Sequence, residues 1–490
     1  MASLDELRAV RLAKREKLEQ RGLLAHPAAI VPTVSLKELI GDYRDDRTET
    51  LVGRVTALRG SGAISFVVFH DGTAEFQAVI KKDVLDQESF DSFGELVDLG
   101  DFISFNGTTF TTQRGAQSLL VTSWSMAGKT LLPLPDKWAG LQDQEELYRK
   151  RYLDLLSNEE TRERFILRSK IIRSIRNFFD ERDFVEIETP ILQTQAGGAM
   201  ARTFNTHHND LDMDMVLRIS LEIEHKLVMA GGIPRIYEIG KNFRNEGSDP
   251  THIQEFTMIE WYAAYVDLQQ NITWTKELLT SLARDVVGKT SFTIWNKDGN
   301  EETVDFDSAW PVVRFDDLLR ENANLDIQTA SLEEIQKVAA SYGMRTDEIA
   351  STSKANILDF IYKKSSRNNI VNPTFVTNYP GDLKPLAQQN EDGTAMVAQL
   401  IIAGAEITNQ YAELVDPLIQ RQLLERQAQA KTDGDEEAME VDERFLQAME
   451  HGMPPMTGFG MGIDRLVALF TEQKNLRDVI LFPIMRDKEE

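Results

Sequence analysis

The sequence predicts an α+β protein in two parts. A small five-stranded β-barrel comes first, and a larger domain of helices and antiparallel strands follows. Three observations carry this. Residues 50–127 hold five short β-rich runs separated by turn residues. From about residue 162 a helical apolar stripe gives way to extended segments. Hydrophobic residues make up 42% of the 490, enough for two or three domains with cores of their own.

The chain has no cysteine, which excludes disulfides, thiolate nucleophiles and Cys-ligated zinc and fits a reducing cytoplasmic setting. Its first residues are charged, without the apolar stretch of a secretory signal. No run of 18 apolar residues marks a membrane span. The net charge of −25 argues against loose, nonspecific nucleic-acid binding, because phosphate is repelled by an acidic surface. Any RNA partner must therefore meet local cations and shaped contacts.

Residues 1–45 read as a helical extension. Arg8, Arg11, Lys14, Arg15, Lys17 and Arg21 mix with acids at helical spacing, as a solvated surface helix or as an RNA-contacting arm. His26, Pro27 and Pro32 end the helix. Residues 46–130 are the barrel, with the runs LVGRVTAL, ISFVVF, AEFQAVI, DFISFNGTTF and SLLVTSWSMA. A Greek-key barrel of the oligonucleotide-binding (OB) kind fits, and an SH3-like barrel fits the pattern too. Residues 131–160 read as a linker. Residues 161–490 form the larger domain. Within it RFILRSKIIRSIRNFFDERDF carries the helical stripe, and Glu181 to Pro190 turns extended. RIYEIGKNF and EFTMIEWYAAYVD alternate like strands of one antiparallel sheet. GFGMGIDRLVALFTEQ reads as a glycine-rich strand turning into a helix, and 431–443 as an acidic surface turn. The stretch 270–370 suggests no chemistry.

Three signatures occur in a fixed order: the long helix with VEIETP; EIGKNFRNEG followed by EFTMIEWY; and GFGMGIDRLVALF. With the barrel in front, the chain resembles the class II aminoacyl-tRNA synthetases. Over nearly its whole length, including LPDKWAGLQDQEELYRKRYLDLLSN, it resembles the bacterial-type lysyl-tRNA synthetases with an N-terminal OB-fold anticodon-binding domain. The resemblance implies a class II antiparallel sheet flanked by helices and a homodimer built through the first signature. It also implies Mg²⁺-dependent activation of L-lysine with ATP, and transfer of lysine to the 3′ end of tRNA(Lys).

The chemistry fits such residues. A lysine carboxylate that attacks the α-phosphate while pyrophosphate leaves needs its charges neutralised by fixed guanidinium groups. No side chain has to act as acid or base, because the nucleophile is already ionised. The resemblance gives Arg244 the α-phosphate and carboxylate, and Arg465 the γ-phosphate. It sets adenine between Phe256 and Arg465, its amino group on Glu246, and His252 near the phosphates, unless His252 is only an exposed loop residue. Glu222 and Glu413 receive the lysine ε-ammonium, with Tyr262 as hydroxyl partner. Glu260 and the backbone of Gly198 take the α-amino group, Asn409 the carboxylate, and Tyr411 walls the stem. Asn409, Tyr411 and Glu413 alternate, so a strand turns them to one side. Glu406 and Gln399 stand at the metal-ligand positions, and Glu406 also at the ATP site. In the barrel, Phe66 and Gln77 match positions that stack on and read the central anticodon uracil, while Phe66 as plain core is the other reading. Arg54 or Arg59 is open to meet the RNA backbone.

Departures from the family pattern concentrate on the phosphate and metal side. Gln399 replaces an acid, Thr251-His252-Ile253 replaces Arg-His-Asn, and Ala405, Gln410, Ala412 and Asp183 replace Arg, Gly, Ser and Gly. They leave two rivals: an RNA-binding or regulatory paralogue with impaired catalysis, and an aspartyl or asparaginyl relative. The second would need a cationic pocket where Glu222 and Glu413 stand.

Overall fold

The structure is a computed structural model that describes residues 3–134, 143–199, 201–295, 299–432 and 440–487. Most of the acidic turn expected at 431–443 lies outside them. The chain divides into two compact units, residues 1–142 and 143–490.

In the first unit, strands β1 (Thr48–Ser61), β2 (Ile64–His70), β3 (Glu75–Lys81), β4 (Phe102–Thr111) and β5 (Gln117–Gly128) close a barrel in the order β1-β2-β3-β5-β4. β1 is long because it pairs with both β2 and β4, and it bends at an irregularity between Val55 and Ala57. Alternation decides the faces. Val67 and Phe69 point into the core with Val55, Ile103 and Phe105, while Ile64 and Phe66 are exposed.

Helix α1 (Leu4–Gln20) starts at a Ser3/Glu6 capping box. It is neither a free arm nor a wholly solvated helix. Leu18 joins the barrel core. Arg11 is buried and donates to Thr130 Oγ1 (2.5 Å) and to the carbonyls of Leu132 and Leu99 (both 3.0 Å). Lys14 pairs with Asp98, and Lys17 and Arg21 both pair with Glu95. Most of the basic residues read from the sequence as a surface feature are thus spent on the barrel itself.

The second unit begins earlier than the sequence pattern suggests. Residues 143–160, read as linker, are largely helical and packed. Arg151 is buried, pairs with Asp154 at 2.7 Å and donates to the carbonyls of Arg477 and Leu481. The pattern hid this because the segment's apolar residues are few and its anchor is a charge.

An eight-stranded sheet follows: β6 (Val185–Glu186), β7 (Arg235–Phe243), β8 (Glu255–Ala264), β9 (Val312–Arg314), β10 (Thr374–Thr377), β11 (Val397–Ile402), β12 (Ala405–Ala412) and β13 (Met456–Gly462). The spatial order is β9-β10-β11-β12-β13-β8-β7-β6. Interior pairs are antiparallel, and the outermost pair at each edge is parallel. Helices α2 (Glu159–Asp180) and α4 (Ile463–Phe470) contribute to the main core on one face, where Ile171, Ile175 and Phe179 meet Tyr237, Trp261, Phe459 and Leu466. Helix α3 (Glu222–Ala230) packs against β7 and β8. Asp183, just past α2, takes the left-handed conformation (φ 59°) that glycine adopts without strain. Residues 315–362 build a second core with Val376, Val397 and Ile401, so this stretch is scaffold for β10 and β11. No described helix is long and apolar enough to cross a membrane.

Candidate active site

Three neighbouring strands make a cleft floor. On β8, Ile259, Trp261 and Ala263 enter the core, so Phe256, Met258, Glu260 and Tyr262 face the other way. On β12 the same parity brings Asn409 and Tyr411 to that side, with Asn409 Nδ2 donating to Tyr411 Oη at 2.6 Å. β13 runs between them. Gly458 lies opposite Tyr262 and Tyr411, Gly460 opposite Glu260 and Asn409, and Gly462 opposite Met258. The middle strand therefore presents glycine wherever a side chain would fill the cleft. A Cβ at Gly458 would sit 2.0 Å from Glu413 Oε1 and 2.6 Å from Tyr262 Cε1. The resulting cavity is about 360 Å³, in the range of small-molecule sites.

Arg244, Glu246, His252, Phe256, Glu406 and Arg465 gather at one end of the cleft. Arg244 leaves the end of β7. Its guanidinium lies 5.2 Å from the Phe256 ring centroid and its Nε donates to the Ile219 carbonyl at 3.3 Å. Burial works against its charge, opposed by Glu246 and Glu260. Arg465 sits in the first turn of α4 and donates to the Glu406 carbonyl at 3.1 Å. That turn is fixed by buried Asp464, which accepts from the Thr257 amide and pairs with Arg168, both at 2.7 Å. His252 is exposed on its loop, held by Asp249 at 2.9 Å.

Glu222, Glu260, Tyr262 and Tyr411 line the other end, while Glu413 lies behind Gly458 and is not among the lining residues. Glu222 opens α3, Glu260 is on β8 and Glu413 follows β12, and all three are buried. Gly198 closes over them with φ +77°, and a Cβ there would lie 2.8 Å from Glu222 Cβ. Lys226, which the sequence reading passed over, is fully buried among them. Its Nζ lies 2.7 Å from Glu222 Oε1 and 2.6 Å from Glu413 Oε2. Both Glu413 carboxyl oxygens are buried without a hydrogen-bond partner, Oε2 meeting Lys226 only as an ion pair. Burial, reinforced by the charge of Glu222, pushes both Glu260 and Glu413 up to about 8, with Lys226 pulling Glu413 the other way. Burial works against the Lys226 charge too, but Glu222 and Glu413 outweigh it and hold the ammonium protonated. This end is a desolvated carboxylate cluster with room for cations.

A pH prediction follows from these carboxyls. A carboxyl whose pKa is raised by folding keeps its proton better folded than unfolded. Its ionisation therefore costs stability as pH rises from about 4.5 to about 8. An ammonium ligand binds the ionised form. At fixed, moderate lysine, the thermal stabilisation given by lysine is expected to grow from about pH 6 to about pH 8. Equal stabilisation at both values would remove these carboxyls as the ammonium receptors.

The two positions read as metal ligands diverge. Glu406 lines the cleft. Gln399 is buried on β11 opposite Asn409, donates to its Oδ1 at 3.4 Å, and is not among the lining residues. Among the described residues no cluster of three or more His, Cys, Asp or Glu forms a cage. Of the two positions, Glu406 alone reaches the cleft and would offer a carboxylate to a hard cation there.

On the barrel, Phe66 is 40% exposed, which excludes the plain-core reading. Gln77 lies two residues from its level on the neighbouring strand and donates to Ser118 Oγ at 2.7 Å. Arg59 pairs in register with Phe66 and is exposed, whereas Arg54 lies 4.2 Å over the Phe102 ring.

Residues 143–486 match the family model described as tRNA synthetases class II (D, K and N), and residues 49–127 match the OB-fold nucleic acid binding domain. The chain is 38% identical over 491 residues to a lysine–tRNA ligase of Pelotomaculum thermopropionicum, covering 99% of this chain and 96% of the relative. It is 39% identical over 456 residues to that of Staphylococcus haemolyticus, with 92% and 90% covered. To that of Lactiplantibacillus plantarum it is 38% identical over 498 residues, with 99% and 98% covered.

Proposed function

The chain belongs to the class II tRNA synthetases (D, K and N), and on that premise we propose that it joins lysine to tRNA(Lys) at the expense of ATP. The observation that carries the choice of lysine is the pair of buried acids Glu222 and Glu260 on the wall of the cleft, with buried Glu413 tied to Glu222 through Lys226 behind it. An aspartate side chain would be repelled there, and an asparagine side chain would leave the charges unpaired.

In the first half-reaction the lysine carboxylate attacks the α-phosphate of ATP, and pyrophosphate leaves. Arg244, held over Phe256 and by the Ile219 carbonyl, neutralises the carboxylate and α-phosphate as they approach. Arg465, set by the Asp464-anchored turn, meets the γ-phosphate. Phe256 and Arg465 clasp adenine, Glu246 takes its amino group, and His252 supports the phosphates. Glu260 and the Gly198 backbone hold the α-ammonium, Asn409 orients the carboxylate and Tyr411 lines the stem. Glu406 would hold Mg²⁺, which supplies charge neutralisation on the polyphosphate. Retention of Arg244, Glu246 and Arg465 in one cleft favours activity over a catalytically impaired paralogue. A homodimer is supported by exposed Ile166 on α2, Val185 on β6, and Ile191 and Leu192 beyond it. A tRNA-charging role carries with it a cytoplasmic setting.

The test is ATP–pyrophosphate exchange across the twenty amino acids. Exchange with lysine alone is expected, and exchange driven by another amino acid, or by none, overturns the reading. On the barrel side, Phe66→Ala is expected to leave lysine-dependent exchange intact and to lower tRNA charging about tenfold to a hundredfold, the worth of one stacked base. Equal loss of both activities would mean a folding defect and no base platform.

A further inference from the structure

Lys226 is the buried cation of the carboxylate cluster, and nothing in the reaction as described uses it. Its helix position, four residues after Glu222, usually gives a solvated pair worth a few tenths of a kcal/mol. Here neither partner is solvated. Lys226 is 0% exposed, Glu222 6% and the second acid, Glu413, 3%. The ammonium takes one oxygen of Glu222 and one of Glu413, and Glu413 Oε1 is left facing Tyr262 and Gly458 without a partner. Glu260, Tyr262 and Tyr411 share the surroundings of Glu222 and Glu413, the Phe445 ring lies 5.8 Å from the ammonium, and His225 on the same helix pairs with Glu238 on β7. Glu238 is already matched by Arg218 at 2.7 Å, so it does not offset Lys226.

We propose that Lys226 is the fixed counter-ion of the substrate pocket, a positioning residue that ties one oxygen of Glu222 and one of Glu413 and so aims the two carboxyls at a second, incoming ammonium. The inference rests on the lysine reading above. Lys226 offsets part of the charge of the three neighbouring acids, and lysine would bring two further ammonium groups to the same cluster. Without the fixed cation the Glu413 carboxyl, already pushed up by burial, would hold its proton more firmly, and the substrate would have to expel it. The selector is thus a ternary arrangement, with one ammonium supplied by the protein and one by the substrate.

Lys226→Met keeps the stem and removes the charge. The expected result is a lysine KM raised about tenfold or more with kcat and ATP KM little changed. The pH at which lysine KM levels off should also move upward relative to the unsubstituted protein, which a purely structural role would not produce. Lys226→Arg, retaining the charge, is expected to keep the original pH midpoint. An unchanged lysine KM and midpoint in Lys226→Met overturns the proposal. If Lys226→Met also loses ATP binding, Lys226→Arg decides: the original midpoint supports the proposal, and a shifted midpoint or lost lysine activation overturns it. The unsubstituted protein is assayed first, so that exchange with an amino acid other than lysine is recognised as failure of the functional reading.

Discussion

Arg244→Ala is expected to lower kcat/KM for lysine-dependent pyrophosphate exchange by about 10²–10³-fold, the usual cost of one preorganised donor at a developing charge. The side chain is fixed before substrate arrives, stacked on Phe256 and tied to the Ile219 carbonyl. Its charge is partly desolvated, which strengthens its pull on an anion. Because the contact matters most when pyrophosphate departs, kcat should fall more than ATP affinity. Lysine replaces charge without the planar fork, so Arg244→Lys should recover only part of the loss. A fall of less than tenfold for Arg244→Ala would remove Arg244 from the phosphoryl centre.

The second large effect concerns two glycines one strand-repeat apart. Gly458→Ala puts a methyl group into the space of Glu413 Oε1 and the Tyr262 ring, neither of which can retreat into solvent. The displaced carboxyl no longer meets the ammonium in its present geometry, so lysine KM should rise by about tenfold to 10²-fold, the worth of one charged hydrogen bond. Gly460→Ala is the contrast. Its methyl group would meet the flexible end of Met258 at 3.4 Å, ordinary contact, and should cost far less. Exchange kinetics of the two variants, with ATP KM as a check on folding, decide the matter. Similar KM values for both would mean that the carboxylate cluster does not receive the substrate.

Much of this could be read from the chain because strand parity translates directly into faces. EFTMIEWY alternates core and cleft residues, and NQYAE brings Asn409 and Tyr411 together as expected. GFGMG is equally direct, with glycines at each cleft-facing position. What was not legible depends on long-range packing. Lys226 in SLEIEHK looks like an ordinary surface partner of Glu222, because nothing local tells that Glu413, 187 positions later, completes its burial. Gln399 carries no mark that its amide is committed to Asn409. Arg151 made a packed helix resemble a connector, since its partners are backbone carbonyls near the C-terminus. In α1 the cations match acids of the barrel that sequence spacing cannot connect.

Arg11 fastens α1 to Thr130 and Leu132, and the Lys129 amide meets the Ala25 carbonyl. The polypeptide thus enters and leaves the barrel through one clasp. Such a module has its two ends stapled side by side, so insertion of its neighbour, or replacement by another barrel, disturbs no internal strand. Residues 3–134 thus form a unit closed on itself, the kind of boundary at which a domain can be exchanged without cutting a strand.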